Sequence, residues 1–216
     1  MNNYYTKILI CFIVLLLLIV SIPTKAELAL QGKVIVLDAG HGGLDPGTVY
    51  RDIYEKDINL SITKYLEEEL SKMGATVILT RDSDKDLSME VRNNRKKADF
   101  DNRIKIINQD YVDMYLSIHL NYLSNTKYFG PQVFFNNDNE ELASIVQKSL
   151  NEASEGNRKI KKIPGDTYMY KRLKHKGLLI ECGFLSNSNE RNKLLSDEYQ
   201  IRIAKAITEG IILYYN

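Results

Sequence analysis

The chain has 216 residues, 26% of them charged, and a formal net charge of +1, a length that fits one domain with a full hydrophobic core. So balanced a charge leaves no whole-protein field to gather nucleic acid, which argues against a nucleic-acid partner. No internal repeat or low-complexity tract is present, so repeat architectures are excluded as well.

The first element is hydrocarbon. Residues 8–22 are almost uninterruptedly apolar, preceded by Lys7 and followed by Pro23 and Lys25. The run is short beside the roughly 20 residues that span a bilayer comfortably, and Thr24-Lys25-Ala26 offers a small-residue cleavage site. Residues 1–26 therefore read as an export segment, a signal peptide or an N-terminal membrane anchor. The expected product is an exported domain over residues 27–216, secreted or attached to the membrane only through this segment. Cys11 lies inside the apolar run, which leaves Cys182 alone in the folded part and excludes an intramolecular disulfide.

After it comes VIVLDAGHGG, whose Val34-Ile35-Val36-Leu37 is continuously apolar, as a parallel strand covered on both faces needs to be. Over residues 56–73, Ile58, Ile62, Tyr65, Leu66, Leu70 and Met73 recur at three- and four-residue steps opposite Glu67-Glu68-Glu69, which predicts an amphipathic helix stopped by Gly74. Ala75-Thr76-Val77-Ile78-Leu79 follows as a second strand, so the order strand, helix, strand marks an α/β fold. Residues 82–98, rich in charge and Asn, read as a surface connection that is partly helical. A helix over 101–109 then feeds the strand MYLSIHLN. Gln132-Val133-Phe134-Phe135 is a shorter strand after Gly130-Pro131, and 140–151 a helix through Leu142, Ile145, Val146 and Leu150. Residues 154–166 read as surface, and Lys171-Arg172-Leu173-Lys174-His175-Lys176 as a solvated basic loop. Leu178-Leu179-Ile180 is the last buried strand, and Ile203, Ala204, Ile207, Ile211 and Tyr214 share one face of a helix over 198–215.

Three of these strands end in residues that can hold or work with a metal: VIVLDAGHGG at His41, MYLSIHLN at His119 and GLLIECGF at Glu181. The carboxyl ends of strands in an open α/β sheet line the crevice where ligands bind, so distant segments would deliver the three to one place. A catalytic zinc ion takes three protein ligands and keeps a further position open. His41 and His119 supply two imidazoles, and Glu55, at the start of the helix whose first turn faces the same crevice, is the best-placed carboxylate. Glu181 then stands outside the ligand set as general base, taking the proton of the attacking water and returning it to the leaving amine.

Each residue has a duller explanation. Gly40-His41-Gly42-Gly43 could be a plain tight turn, but glycines directly after a buried strand let a ligand approach the backbone closely. His119 alone could be a satisfied core histidine, and Glu55 alone could complement a helix dipole. Glu181, between Ile180 and Cys182, has the weakest such explanation, because a buried carboxylate is costly unless paired or at work. Cys182 reads as a small packed hydrophobe.

The strings VIVLDAGHGGLDPG, EKDINLSITKYLEEEL, ADFDNRIKIIN before YLSIHLN, and LLIECGFLSNSNERNKLL resemble the zinc-dependent N-acetylmuramoyl-L-alanine amidases of the type-3 family, from about Lys33 to Tyr214. The resemblance implies zinc (Zn2+) ligation by His41, Glu55 and His119, with Glu181 as the catalytic glutamate. It also implies a single domain built on a mostly parallel six-stranded sheet with helices on both faces. The implied substrate is peptidoglycan, cut at the amide between N-acetylmuramic acid and L-alanine. A catalytic domain with only an export segment before it, and GDTYMYK ahead of the last strand, is similar to the spore-cortex, germination-specific branch. That branch strips peptide stems so that muramic-δ-lactam can form during sporulation, which places the protein in the cortex or intermembrane space of the developing spore. Two departures stand out. Lys176-Gly177 replaces a proline frequent before the catalytic strand, and Leu120 replaces an alanine frequent after the second histidine, where its bulk is expected to narrow the cleft. The family's long regulatory inserts have no counterpart, which leaves an accessory or activator protein open.

Competing readings are a non-catalytic wall-binding protein, which would have no reason to keep all four residues, and a zinc carboxypeptidase acting elsewhere on the stem, which shares the metal chemistry. A nucleotide-binding loop is a poor match, because Gly40-His41-Gly42-Gly43 does not complete G-x-G-x-x-G.

Overall fold

The strand predicted before His41 forms β1 (Val34–Ala39), and every residue after Val34 in it is buried. A computed structural model describes residues 29–88, 93–136 and 138–216; the export segment expected at residues 1–26 lies outside them. The remaining strands are β2 (Val49–Tyr50), β3 (Ile53–Tyr54), β4 (Thr76–Leu79), β5 (Met114–Asn121), β6 (Gln132–Phe135), β7 (Lys161–Lys162) and β8 (Lys176–Phe184). Five α-helices are described: α1 (Glu55–Lys72), α2 (Arg95–Ile107), α3 (Glu140–Ser154), α4 (Ser188–Leu194) and α5 (Asp197–Tyr215).

The six-stranded sheet runs β4-β1-β5-β8-β6-β7. All pairs in it are parallel except β6 with β8, so the expected α/β domain with a mostly parallel six-stranded sheet is what forms. A hairpin of β2 and β3 stands apart and runs directly into Glu55. It, β7 and α4 were invisible in the sequence, because two-residue strands and a one- to two-turn helix carry too little periodicity to read.

Strand side chains alternate between faces, and the alternation divides the core in two. Ile35, Leu37, Met114, Leu116, Ile118, Leu120, Leu178, Ile180 and Cys182 join one cluster with the apolar stripes of α1, α3 and α5. Cys182 is thus the buried hydrophobe expected, and its thiol pKa is pushed up by burial. On α1 the stripe is Ile58, Ile62, Leu66 and Leu70, each 5% exposed or less and each contributing roughly 1.5–3 kcal/mol by its burial. The helix ends as expected: Gly74 and Ala75 donate their N–H groups to Ser71 and Leu70, satisfying carbonyls of the last turn.

Val36 and Tyr115 face the other way and pack with Ile107, Val112, Ile163, Met169, Tyr170 and Leu173. One helix, α2, covers part of this face, and residues 163–173 cover the rest. That corrects the reading of residues 154–166 and the basic stretch after them as plain surface. Ile163, Met169, Tyr170 and Leu173 are buried between the exposed lysines, which hid the apolar content at sequence level. Leu120 is likewise corrected: it is 3% exposed in the α1-side core, so its bulk does not narrow the cleft. Gly177 lies in β8, where a Cβ would meet the Tyr115 ring at 2.3 Å. Among the described residues no helix is long and apolar enough to cross a membrane.

Candidate metal centre

β5 and β8 pair in register so that His119 stands beside Glu181. By alternation both project on the face that carries Asp38, Tyr115 and Ser117. Gly40 continues the β1 ladder by donating to Ile118 O at 2.9 Å, and the next residue, His41, takes the left-handed conformation with φ 62°. Glu55 is the first residue of α1 and arrives over the end of the sheet. The four residues singled out in the sequence therefore converge at the carboxyl ends of β1, β5 and β8.

One atom of Glu55, Oε1, lies 3.2 Å from His41 Nε2 and 3.1 Å from His119 Nδ1. The two imidazoles meet edge to face with centroids 4.9 Å apart, and the three donor atoms lie within 4.8 Å of one another. Two nitrogens and a carboxylate oxygen this close form a donor set that could hold a metal ion. The carboxylate is pre-aimed: Oε1 accepts from Leu120 N at 3.0 Å and Oε2 from Thr48 N at 2.8 Å. Backbone must come close to make this cluster. A Cβ at Gly40 would sit 2.3 Å from His119 Cε1, and one at Gly47 would sit 2.6 Å from His41 Cδ2.

The electrostatics favour a cation here. Burial opposes charge on His41, but Asp45 and Glu55 outweigh it and raise the imidazole to about 9. Burial would raise Glu55, yet the hydrogen bonds from His119 and His41 hold its carboxyl well below the usual range. A site that stabilises a proton this strongly offers the same negative field to a metal ion, which must displace that proton to bind.

Four residues that build the site went unnoticed in the sequence. Asp45 Oδ2 accepts from His41 Nδ1 at 3.0 Å, which orients the ring and leaves Nε2 turned to Glu55, the arrangement that carboxylates impose on metal-binding histidines. Asn59, one turn after Glu55, donates to Gly40 O at 3.2 Å and Glu55 Oε1 at 3.3 Å. Arg81 donates to Ala39 O and Gly40 O, and Arg103 to Ala39 O and His41 O, so two buried guanidiniums grip the carbonyls around the left-handed turn. Arg103 is itself neutralised by Asp38 at 2.7 Å and Asp99 at 2.9 Å. A signal existed: Asp99, Arg103 and Ile107 are spaced by four residues on α2 and all buried, a charged pair inside a helix's core-facing stripe. For Asp45, replacement by alanine is expected to weaken metal affinity by about 10–100-fold without unfolding the chain. Competition with a calibrated chelator measures it, and unchanged affinity would show that the ring needs no such partner.

Glu181 differs from the cluster. Its Oε2 is enclosed without a hydrogen-bond partner. Desolvation raises the carboxyl to about 7, with Glu55 adding to the shift and His119 and His41 opposing it. A carboxyl poised near neutrality can both take and return a proton.

Residues 35–213 match the profile of the family described as N-acetylmuramoyl-L-alanine amidase. The germination-specific N-acetylmuramoyl-L-alanine amidase of Bacillus subtilis is 39% identical over 196 residues, covering 88% of this chain and 82% of that protein. Among solved structures, the CwlD amidase from Clostridioides difficile, in complex with the GerS lipoprotein, superposes with a TM-score of 0.78 at 39% identity, over 85% of this chain and 98% of that one. The catalytic domain of the amidase CwlV from Bacillus (Paenibacillus) polymyxa var. colistinus gives 0.73 at 28%, over 84% and 97%. The chain belongs to the N-acetylmuramoyl-L-alanine amidase family, enzymes that act on peptidoglycan.

Proposed function

We propose that His41, Glu55 and His119 hold a zinc ion and that Glu181 moves the proton while the amide between N-acetylmuramic acid and L-alanine is hydrolysed. The observation that carries this reading is the convergence of a two-histidine, one-carboxylate donor set with a fourth, unpaired carboxyl on the strand next to His119. Zinc there would supply a Lewis acid that makes water acidic near neutral pH and draws charge off the scissile carbonyl. Glu181 Oε2 accepts the proton of the attacking water and returns it to the L-alanine nitrogen as that amine leaves. Asp45, Asn59 and the two arginines keep the ligand atoms in place, so little reorganisation is needed at the moment of reaction.

The germination-specific relative supports a finer assignment: removal of peptide stems from spore cortex during sporulation, so that muramic-δ-lactam can form. The GerS lipoprotein bound to the similar amidase supports an accessory partner for this chain too. Residues 1–26 serve export or membrane attachment, and residues 27–216 are the catalytic domain, working outside the cytoplasmic membrane in the cortex or intermembrane space of the developing spore. Among the described residues the earliest in the core is Leu30, and a chain shortened to 27–216 is expected to keep its fold and its reaction.

Peptidoglycan incubated with that shortened chain and zinc is expected to release intact stems bearing a free L-alanine amine, with glycan strands uncut. New reducing ends would point to a glycosidase, and release of single terminal amino acids to a carboxypeptidase. For the cortex assignment the measurement is muramic-δ-lactam in spores lacking the gene: its loss is expected, and an unchanged cortex would remove that role while sparing the amidase.

A further inference from the structure

The face that carries His119 and Glu181 is the one covered by α2 and residues 163–173, and the two covers do not close over it completely. Between them lies a cavity of about 130 Å³ that reaches the rings of His41 and His119. Phe100 of α2 lines it together with Thr167, Tyr168 and Met169. The rings of Phe100 and Tyr168 are 6.1 Å apart, and the Tyr168 hydroxyl is tied to Asp101 Oδ1 at 2.7 Å, so the wall on the 163–173 side is held to α2. Asp38, Asp45, Asp99 and Arg103 line it too, with the Arg103 charge met by Asp38 and Asp99 and Asp45 paired with His41.

We infer that this cavity is the subsite for the first residue of the peptide stem, and that Thr167 and Tyr168, in the GDTYMYK segment, set how large that residue can be. The inference rests on the amidase reading above. An apolar hollow against both imidazoles suits a small uncharged group attached at the scissile amide, and the L-alanine methyl is such a group. The segment that covers the sheet thus also shapes the substrate's place, which gives a role to residues that neither hold the metal nor move the proton.

The test uses the full chain, zinc-loaded in detergent, and soluble muramyl peptides whose first residue is glycine, L-alanine or L-leucine. Tyr168→Ala opens the cavity, and the ratio of kcat/KM for leucine over alanine is expected to rise at least about tenfold, the discrimination typical of added methylenes in an apolar pocket. Thr167→Phe fills it and should shift preference toward glycine by a similar factor. The same ratios are read without turnover, from dissociation constants of the peptides with the metal-free chain. A merely structural wall would change rates for all three peptides together, and ratios unchanged in both variants would overturn the subsite. Wild-type protein that cuts the peptides at a bond other than the muramoyl amide would overturn the amidase reading itself, and the two failures are therefore distinct.

Discussion

Glu181→Gln is expected to lower turnover at least about a hundredfold, the usual share of a positioned general base, while metal content and fold stay unchanged. The reasoning is local. Glutamine matches glutamate in shape, so β8 and its pairing with β5 are undisturbed, but an amide cannot accept the proton of the attacking water. Since Oε2 has no hydrogen-bond partner to lose, removing its charge breaks no structural contact. It also removes the desolvation penalty that lifts the carboxyl to about 7, so the variant should be no less stable than the parent. Steady-state kinetics on peptidoglycan fragments, with circular dichroism and metal analysis alongside, separates the outcomes. Near-normal turnover would mean that another group takes the proton, and a change confined to KM would assign Glu181 to binding.

His119→Ala should empty the site. Purified wild-type chain is expected to carry about one zinc ion, and the variant only a small fraction of it, with activity lost to match. His119 supplies one of three donors that Glu55 holds together, and two donors that remain leave the ion with too few bonds to hold it against water. Glu55→Ala should weaken binding as well, through loss of both a ligand and a negative charge that, beside Asp45, raises His41. Elemental analysis decides: undiminished zinc in His119→Ala would remove that residue from the ligand set. The fold should survive in either variant, because the core on the α1 side does not depend on the cluster.

Much of this is legible in the amino-acid sequence. The continuous apolar runs at Val34 and Leu178, and the similar but less pure run at Met114, announced parallel strands, since burial on both faces leaves little room for alternation. The helical spacing of Ile58, Ile62, Leu66 and Leu70 gave α1, and chemistry-bearing residues at the ends of those runs pointed to one crevice. What was misread has a common cause. Leu120 was assigned to the cleft because it follows His119, yet strand alternation sends neighbours to opposite faces. Residues 154–166 and 171–176 were read as surface because lysines and arginines outnumber their apolar neighbours there, and long cationic side chains reach solvent while the backbone lies against the core.

The sequence by itself determined the strand and helix periods, the α/β class and the identity of the residues gathered at the strand ends, because those depend on spacing along the chain. Only the tertiary structure decided which side of the sheet receives His119 and Glu181, that Asp45 and Asn59 aim the imidazole and the carboxylate, that Arg81 and Arg103 clamp the turn at His41, and that GDTYMYK walls the cavity beside it. The arginine and cavity contacts join residues tens of positions apart, and even the four-residue contacts of Asp45 and Asn59 matter only where the sheet gathers the ligands, so no local pattern records them.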